Sequence, residues 1–316
     1  MKTLLMFPGQ GSQYIGMCKD VFDRFSYSKK AFKIVDKVLN ENLTDLILNG
    51  DENELTKSYN SQLAIMVVSV AIYLALKEKY GSKLDNLNIK GTIGHSLGEY
   101  SALCVSGVLS IEDTAKILKQ RGFAMYNCVK SDTGMCAIIG TNVEDIQSVI
   151  DNIKSKCLVI ANYNSFGQIV VSGYLEDIEK LKIELKDKAK KMIDLKVSGA
   201  FHSPLMKQAE DNMKQYIEKL DLHTPKIDIL QNYSCKFEND IEKIRFNLLH
   251  QITAPIFWYK NIQTAIQNGF DTFIEIGPKN VLSGLVKRSL LENQVEKIKI
   301  INIENCNDID EIEKIL

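Results

Sequence analysis

The chain has 316 residues, 45% of them hydrophobic and 25% charged, which is enough apolar material for a full core and too much for a disordered chain. Its 39 basic and 40 acidic residues leave a formal net charge of −1 and are mixed along the sequence, so no global field favours nucleic acid or an anionic lipid surface. Seven cysteines without C-x-x-C spacing read as packing thiols in a reducing compartment, and the apolar run Leu4–Phe7 is too short for a signal-peptide core; a cytoplasmic protein is expected, with neither nucleic acid nor membrane as partner.

In chain order, a strand at Leu4–Phe7 is followed by helical patterns within Val21–Leu39 and Gln62–Lys79. A strand at Lys90–Ile93 and helices at Gly98–Val105 and Ile111–Met125 come next. Short apolar runs alternating with helices predict an α/β domain with a mainly parallel sheet. The apolar stretch Leu63–Leu76 is interrupted by Ser69 and falls short of a bilayer span, so it reads as a buried helix. From about residue 129 the rhythm changes to strand Met135–Ile139, helix Val143–Ile153, strands Leu158–Asn162 and Gln168–Ser172, helix Leu175–Lys188 and strand Lys191–Val197. That β-α-β-β-α-β order is the ferredoxin-like pattern and predicts a small subdomain, residues 129–197, inserted into the α/β domain. The larger domain, residues 1–128 and 198–316, resumes with helix Pro204–Leu220, strand Lys226–Leu230, helices near Ile241–Gln251 and Trp258–Asn268, and strand Thr272–Ile276.

Residues 94–98 read Gly-His-Ser-Leu-Gly at the turn from the second strand into a helix, which places Ser96 on a nucleophile elbow. Gly94 and Gly98 fit a turn so tight that backbone meets backbone. A serine hydroxyl needs a base, and the chain offers His95, His202, His223 and His250. His95 adjoins Ser96, where successive side chains diverge, and reads as packing. His202 follows a strand and precedes Ser203-Pro204, a helix N-cap and first-turn proline, at the kind of strand-to-helix junction where open α/β sheets build their sites. The loop Pro8-Gly9-Gln10-Gly11-Ser12-Gln13 could aim backbone N–H groups at an oxyanion. As a dinucleotide fingerprint it lacks the third glycine, because Tyr14 stands there. Arg121, on a largely apolar helix, answers either a structural acid or a substrate carboxylate.

Six motifs in register carry a resemblance over nearly the whole chain: Gly9-Gln10-Gly11-Ser12-Gln13, Gly94-His95-Ser96-Leu97-Gly98-Glu99-Tyr100, Gln120-Arg121-Gly122, Ala161-Asn162-Tyr163-Asn164-Ser165, Ala200-Phe201-His202-Ser203-Pro204-Leu205-Met206 and Glu275-Ile276-Gly277-Pro278. Together they resemble the malonyl-CoA:acyl-carrier-protein transacylases. The resemblance implies an α/β-hydrolase-like large subdomain with a mainly parallel sheet plus the ferredoxin-like insertion. It also implies malonyl transfer from malonyl-CoA to the phosphopantetheine thiol of an acyl carrier protein, by a ping-pong route through a Ser96 ester. In that scheme His202 is the base, the backbone carbonyl of Gln251 orients it, and the N–H groups of Gln10 and Leu97 form the oxyanion hole. Arg121 pairs with the malonyl carboxylate, Asn162 and Asn164 lie near the pantetheine arm, and the bulky Phe201 suits malonyl over methylmalonyl. No cofactor or metal is expected, since the coenzyme A thioester is itself a substrate, and a monomer is expected. Leu63, Phe166 and Lys279 depart from residues common in the family. Two rivals remain on sequence alone: an acyl hydrolase of the same fold and a carrier-binding module without catalysis.

Overall fold

The computed structural model describes residues 1–197 and 199–316. Its larger sheet has six strands: β1 (Thr3–Phe7), β2 (Ile89–Gly94), β7 (Asp228–Leu230), β8 (Phe237–Glu238), β9 (Thr272–Ile276) and β10 (Lys299–Ile303), in the order β10-β9-β1-β2-β7-β8. All neighbours are parallel except β8, which pairs antiparallel to β7 at the edge. Every residue of β1 is buried, as expected of a central parallel strand covered by helices on both faces. The C-terminal ends of β1 and β2 therefore lie side by side, with Phe7 in register with Gly94, and the loops that leave them meet.

Helix Ser58–Tyr80 explains the longest apolar stretch. Its sequence has a mean hydropathy of 1.6, which would suit a bilayer, yet 89% of that window is buried within the fold. A helix apolar on all sides and enclosed by others is a core helix. It crosses helix Ile111–Asn127 at Gly122, where a Cβ would stand 2.4 Å from the Tyr59 Cα, so the two backbones touch.

The second sheet holds β3 (Thr133–Ile139), β4 (Val159–Ser165), β5 (Gln168–Tyr174) and β6 (Lys191–Asp194), all antiparallel, in the order β4-β5-β3-β6. With helices Val143–Ile153 and Leu175–Glu184 this is the ferredoxin-like arrangement expected from element order. Alternation along β3 separates two cores: Cys136 and Ile138 pack with Ile146, Ile178 and Leu181, whereas Met135 and Ala137 join the main core. Residue 198, where the expected boundary falls, lies outside the described residues. Ile256, in the loop after helix Ile241–His250, bonds to β4 through Tyr163 N–H to Ile256 O (2.9 Å) and Ile256 N–H to Ala161 O (2.8 Å). That bridge ties the second sheet to the segment that carries Gln251.

Several elements are shorter than expected, and others had no sequence signal. The strand before residue 230 is only Asp228–Leu230, and β6 stops at Asp194. Pro204–Met206 forms a 3₁₀ turn before helix Lys207–Ile217, because proline at its first position starts a turn without a free N–H. Strands β8 and β10 are short edge strands, half-buried for the most part, so neither shows the continuous apolar run of a central strand.

Candidate active site

Strand β2 ends at Gly94, and helix Gly98–Val105 begins four residues later, leaving His95, Ser96 and Leu97 on the turn. A Cβ on Gly94 would stand 1.8 Å from the Gly98 carbonyl carbon, and one on Gly98 would stand 2.2 Å from Phe7 O. Only glycine fits either position. Ser96 adopts φ 53°, a left-handed conformation costing on the order of 1–3 kcal/mol that neighbouring contacts must offset. Asn232, just beyond β7, supplies two of them: its Oδ1 accepts from Ser96 N–H (2.9 Å) and its Nδ2 donates to Gly94 O (2.7 Å).

His202 sits at φ 55°, also left-handed, in the segment before Ser203, whose Oγ accepts from Leu205 N–H (3.3 Å). Its Nε2 is 2.8 Å from Ser96 Oγ, and its Nδ1 is 3.0 Å from Gln251 O and 3.2 Å from Ala254 O. Both Nδ1 partners are carbonyls, which only accept, so Nδ1 carries the proton and Nε2 turns its lone pair to the serine. Burial, and after it the charge of Arg121, pushes the imidazole down to about 3, so it is neutral at physiological pH.

The close crossing at Gly122 brings Arg121 against Gln62 of helix Ser58–Tyr80. Arg121 is 1% exposed, donating from Nη1 to Gln62 Oε1 (2.7 Å) and from Nη2 to Gln251 Oε1 (2.9 Å) and Ser96 Oγ (3.2 Å). Among the described residues its Nε–H has no acceptor and no carboxylate lies within ion-pair distance. The nearest buried acid in the network is Glu99, which reaches Arg121 through the Gln251 amide and whose charge supports the guanidinium against burial. A buried guanidinium whose direct hydrogen bonds go to neutral amides and a hydroxyl, with the Tyr100 ring 5.6 Å away, keeps room for an anion brought from outside.

Gly9 packs the loop after β1 onto the elbow, since a Cβ there would stand 2.7 Å from His95 O. Among the described residues the backbone N–H groups of Gln10 and Leu97 have no acceptor. Leu97 immediately precedes helix Gly98–Val105, so its N–H adds to the positive end of the helix dipole. Gln10, Leu97, Ser96, Arg121, Asn162, Phe201 and His202 all line one small cavity of about 80 Å³, closed by the apolar Met125, Met135, Leu195 and Val197. That is far below the roughly 300–1,000 Å³ of sites for drug-sized ligands, and it suits a short acyl group. A larger cleft of about 500 Å³, bounded by Lys207, Lys214, Glu242 and Phe246, lies away from the serine.

Asn164 Oδ1 lies 3.0 Å from Nε2 of His95, which is half-buried and itself lines the cavity. His95 packs with its ring 5.4 Å from that of Trp258. Phe166, at the β4–β5 turn, stacks on Tyr259 with ring centroids 4.3 Å apart, and Lys279 takes φ 63°, the conformation that glycine occupies at lower cost.

Sequence reasoning assigned no role to Glu99, Gln62, Gln231 or Asn232. Glu99 follows Gly98 in the first helical turn, where an acid ordinarily faces solvent and complements the dipole. Here it is fully buried, and burial pushes its carboxyl up to about 7 against hydrogen bonds from Gln251, Asn232 and Gln231 that pull it down. Among the described residues no cysteine lines the cavity, and burial pushes the thiols of Cys104, Cys136 and Cys235 up to about 12, 11 and 11, which keeps them protonated. Among the described residues no group of three His, Cys, Asp or Glu is placed to hold a metal ion.

Comparison with known proteins shows the family and the fold. Residues 4–311 match the family model for the acyl transferase domain. The malonyl CoA-acyl carrier protein transacylase of Bacillus subtilis (strain 168) is 38% identical over 291 residues, 91% of this chain and 90% of that protein. The crystal structure of acyl-carrier-protein-S-malonyltransferase from Bartonella henselae superposes with a TM-score of 0.92 at 35% identity, covering 100% of this chain and 99% of that one. A malonyl-transacylase solved in complex with the holo acyl carrier protein of a type II PKS gives 0.91 at 32% identity, with 98% of each chain covered. The chain belongs to the acyl transferase domain family and is an acyltransferase.

Proposed function

We propose that this acyltransferase moves a malonyl group from malonyl-CoA to the phosphopantetheine thiol of an acyl carrier protein, through a malonyl ester on Ser96. The observation that carries the reading is Arg121: a buried guanidinium with no carboxylate in direct contact among the described residues, 3.2 Å from the Ser96 hydroxyl. A malonyl group is a short acyl unit ending in a carboxylate, and it supplies the missing anion within reach of the nucleophile. The names of the relatives support the same substrate and carrier.

In the first half-reaction Ser96 Oγ attacks the thioester carbonyl carbon while His202 Nε2 takes the hydroxyl proton. The N–H groups of Gln10 and Leu97 receive the developing oxyanion. The C–S bond then breaks, the coenzyme A sulfur leaves with the proton held by His202, and the malonyl ester remains. The second half runs in reverse with the carrier thiol as nucleophile, its proton passing to His202. An imidazole held near pKa 3 is a weak base, and Arg121 is one cause. A carboxylate seated on Arg121 cancels that charge and returns the imidazole toward the range in which general bases work. Binding the correct acyl group thereby prepares the base. Because His202 is oriented by carbonyls and not by a carboxylate, it remains less basic than in a Ser-His-Asp triad, which favours transfer to a thiol over activation of water.

Quenched incubation with malonyl-CoA and no carrier should leave a malonyl adduct on the Ser96 peptide, read by mass spectrometry. An adduct elsewhere, or none, rejects the ester mechanism. Mass spectrometry of candidate carriers after incubation would then show whether fatty-acid or polyketide carriers accept the group.

A further inference from the structure

We infer that Glu99 is a positioning residue for acyl-group selection, holding the Gln251 amide so that its oxygen faces Arg121 and sets the guanidinium for a substrate carboxylate. The inference rests on the reading of Arg121 given above. Gln251 joins His202, Ser96 and Arg121. Its backbone carbonyl receives His202 Nδ1, its Nε2 donates to Ser96 O (3.0 Å) and Glu99 Oε2 (2.6 Å), and its Oε1 accepts from Arg121 Nη2 (2.9 Å).

An amide can be turned end for end, and the partners decide its orientation. Both neighbours of Gln251 Nε2 are acceptors, and Glu99 is the stronger because a carboxylate has no proton to offer once ionised. Reversing the amide would set oxygen against oxygen at Glu99 and Ser96, and nitrogen against nitrogen at Arg121. Glu99 is itself held from the far side: Gln231 Nε2 donates to its Oε1 (3.0 Å) and Asn232 N–H to its Oε2 (3.3 Å). Gln231 in turn receives Asn247 Nδ2 on its own oxygen (2.7 Å), which fixes its donor end toward Glu99. Every polar contact on the carboxylate is thus a donated one. Donation runs toward Glu99 from both sides, from Asn247 through Gln231 in the interior and from Arg121 through Gln251 at the clamp. Glu99 touches neither substrate nor the reacting atoms, so its effect reaches them through Gln251.

The test compares E99Q, Q251A and the double variant, each checked for folding by circular dichroism and assayed with malonyl-CoA and acetyl-CoA. Q251A keeps the backbone carbonyl that orients His202. Both single variants should lower the malonyl-to-acetyl ratio of kcat/KM about tenfold or more, mainly through KM for malonyl-CoA, as for the loss of a hydrogen bond to a charged group. The double variant should lose no more than the worse single one, since two residues acting through one contact are not additive. If E99Q does not fold, E99D, which keeps the charge but withdraws it from Gln251, is read the same way. A ratio unchanged in E99Q or E99D, or fully additive losses, overturns the inference. R121A separates the two levels. If it shifts the ratio and E99Q does not, the clamp stands and Glu99 falls; if R121A leaves the ratio unchanged, the malonyl reading and this inference fall together.

Discussion

The floor beneath Ser96 and the core of the second sheet are equally buried and chemically opposite. Under the elbow lie Glu99, Gln231, Asn232, Asn247 and Gln251, all at least nineteen-twentieths buried and joined by hydrogen bonds. The second sheet encloses Cys136, Ile138, Ile146, Val171, Ile178 and Leu181, with no charged residue in the cluster. Apolar packing is non-directional and tolerates volume-conserving change, whereas a buried polar network holds each atom at one angle. The left-handed backbones of Ser96 and His202 need the second kind of support. The second sheet contributes a wall, through Met135 and Asn162, and carries neither Ser96 nor His202.

The sharpest way to break this contrast is His202→Ala, which should slow acylation and transfer by roughly 10²–10⁴ while leaving the fold intact. Single-turnover rates equal to the parent would move the base role elsewhere, with His95 tested next. Arg121→Ala should cost malonyl transfer about 2–5 kcal/mol while acetyl transfer holds steady or improves, since the charge that depresses His202 is removed as well. Parallel loss of both activities with a lowered thermal midpoint would make Arg121 a brace of the core.

Leu181→Ala probes the other region. It should lower stability by about 2–5 kcal/mol, read from denaturant midpoints, and leave kcat/KM of the folded protein nearly unchanged. A large fall in kcat/KM at full folding would show that the second sheet does more than enclose the cavity.

Acid stability gives a smaller effect with a defined sign. The folded pKa of His202, about 3, lies below its ordinary value of roughly 6.5, so the unfolded chain binds the proton more readily. Its contribution is present above pH 6.5 and is lost as pH falls toward 3. His202→Asn should flatten that part of the stability profile, with His95, also pushed down by burial, retaining its own share. An unchanged slope in urea titrations across this window would contradict a neutral buried imidazole. The smallest effect is Lys279→Gly, which relieves a left-handed φ and should add about 0.5 kcal/mol, after the entropy cost of glycine, to the thermal stability. A decrease would mean that the contact of Lys279 Nζ with Gly11 O (3.2 Å) outweighs the backbone strain.

The elbow, the ferredoxin-like element order and the candidate nucleophile and base were all legible along the chain. Each is written within one element or one junction: glycines two residues either side of Ser96, strands and helices in a counted order, and proline just after His202 and Ser203. Arg121 was visible as a misplaced charge, but not its partners, because Gln62, Gln251 and Ser96 stand 59, 130 and 25 positions away. Local spacing carries no information about contacts across such separations. Nor could it show that Glu99, one residue beyond a glycine in a first helical turn, faces inward. Packing of the loops after β7 and after helix Ile241–His250 against the elbow decided that, and it turned an ordinary helix-start acid into a buried carboxyl beneath the site.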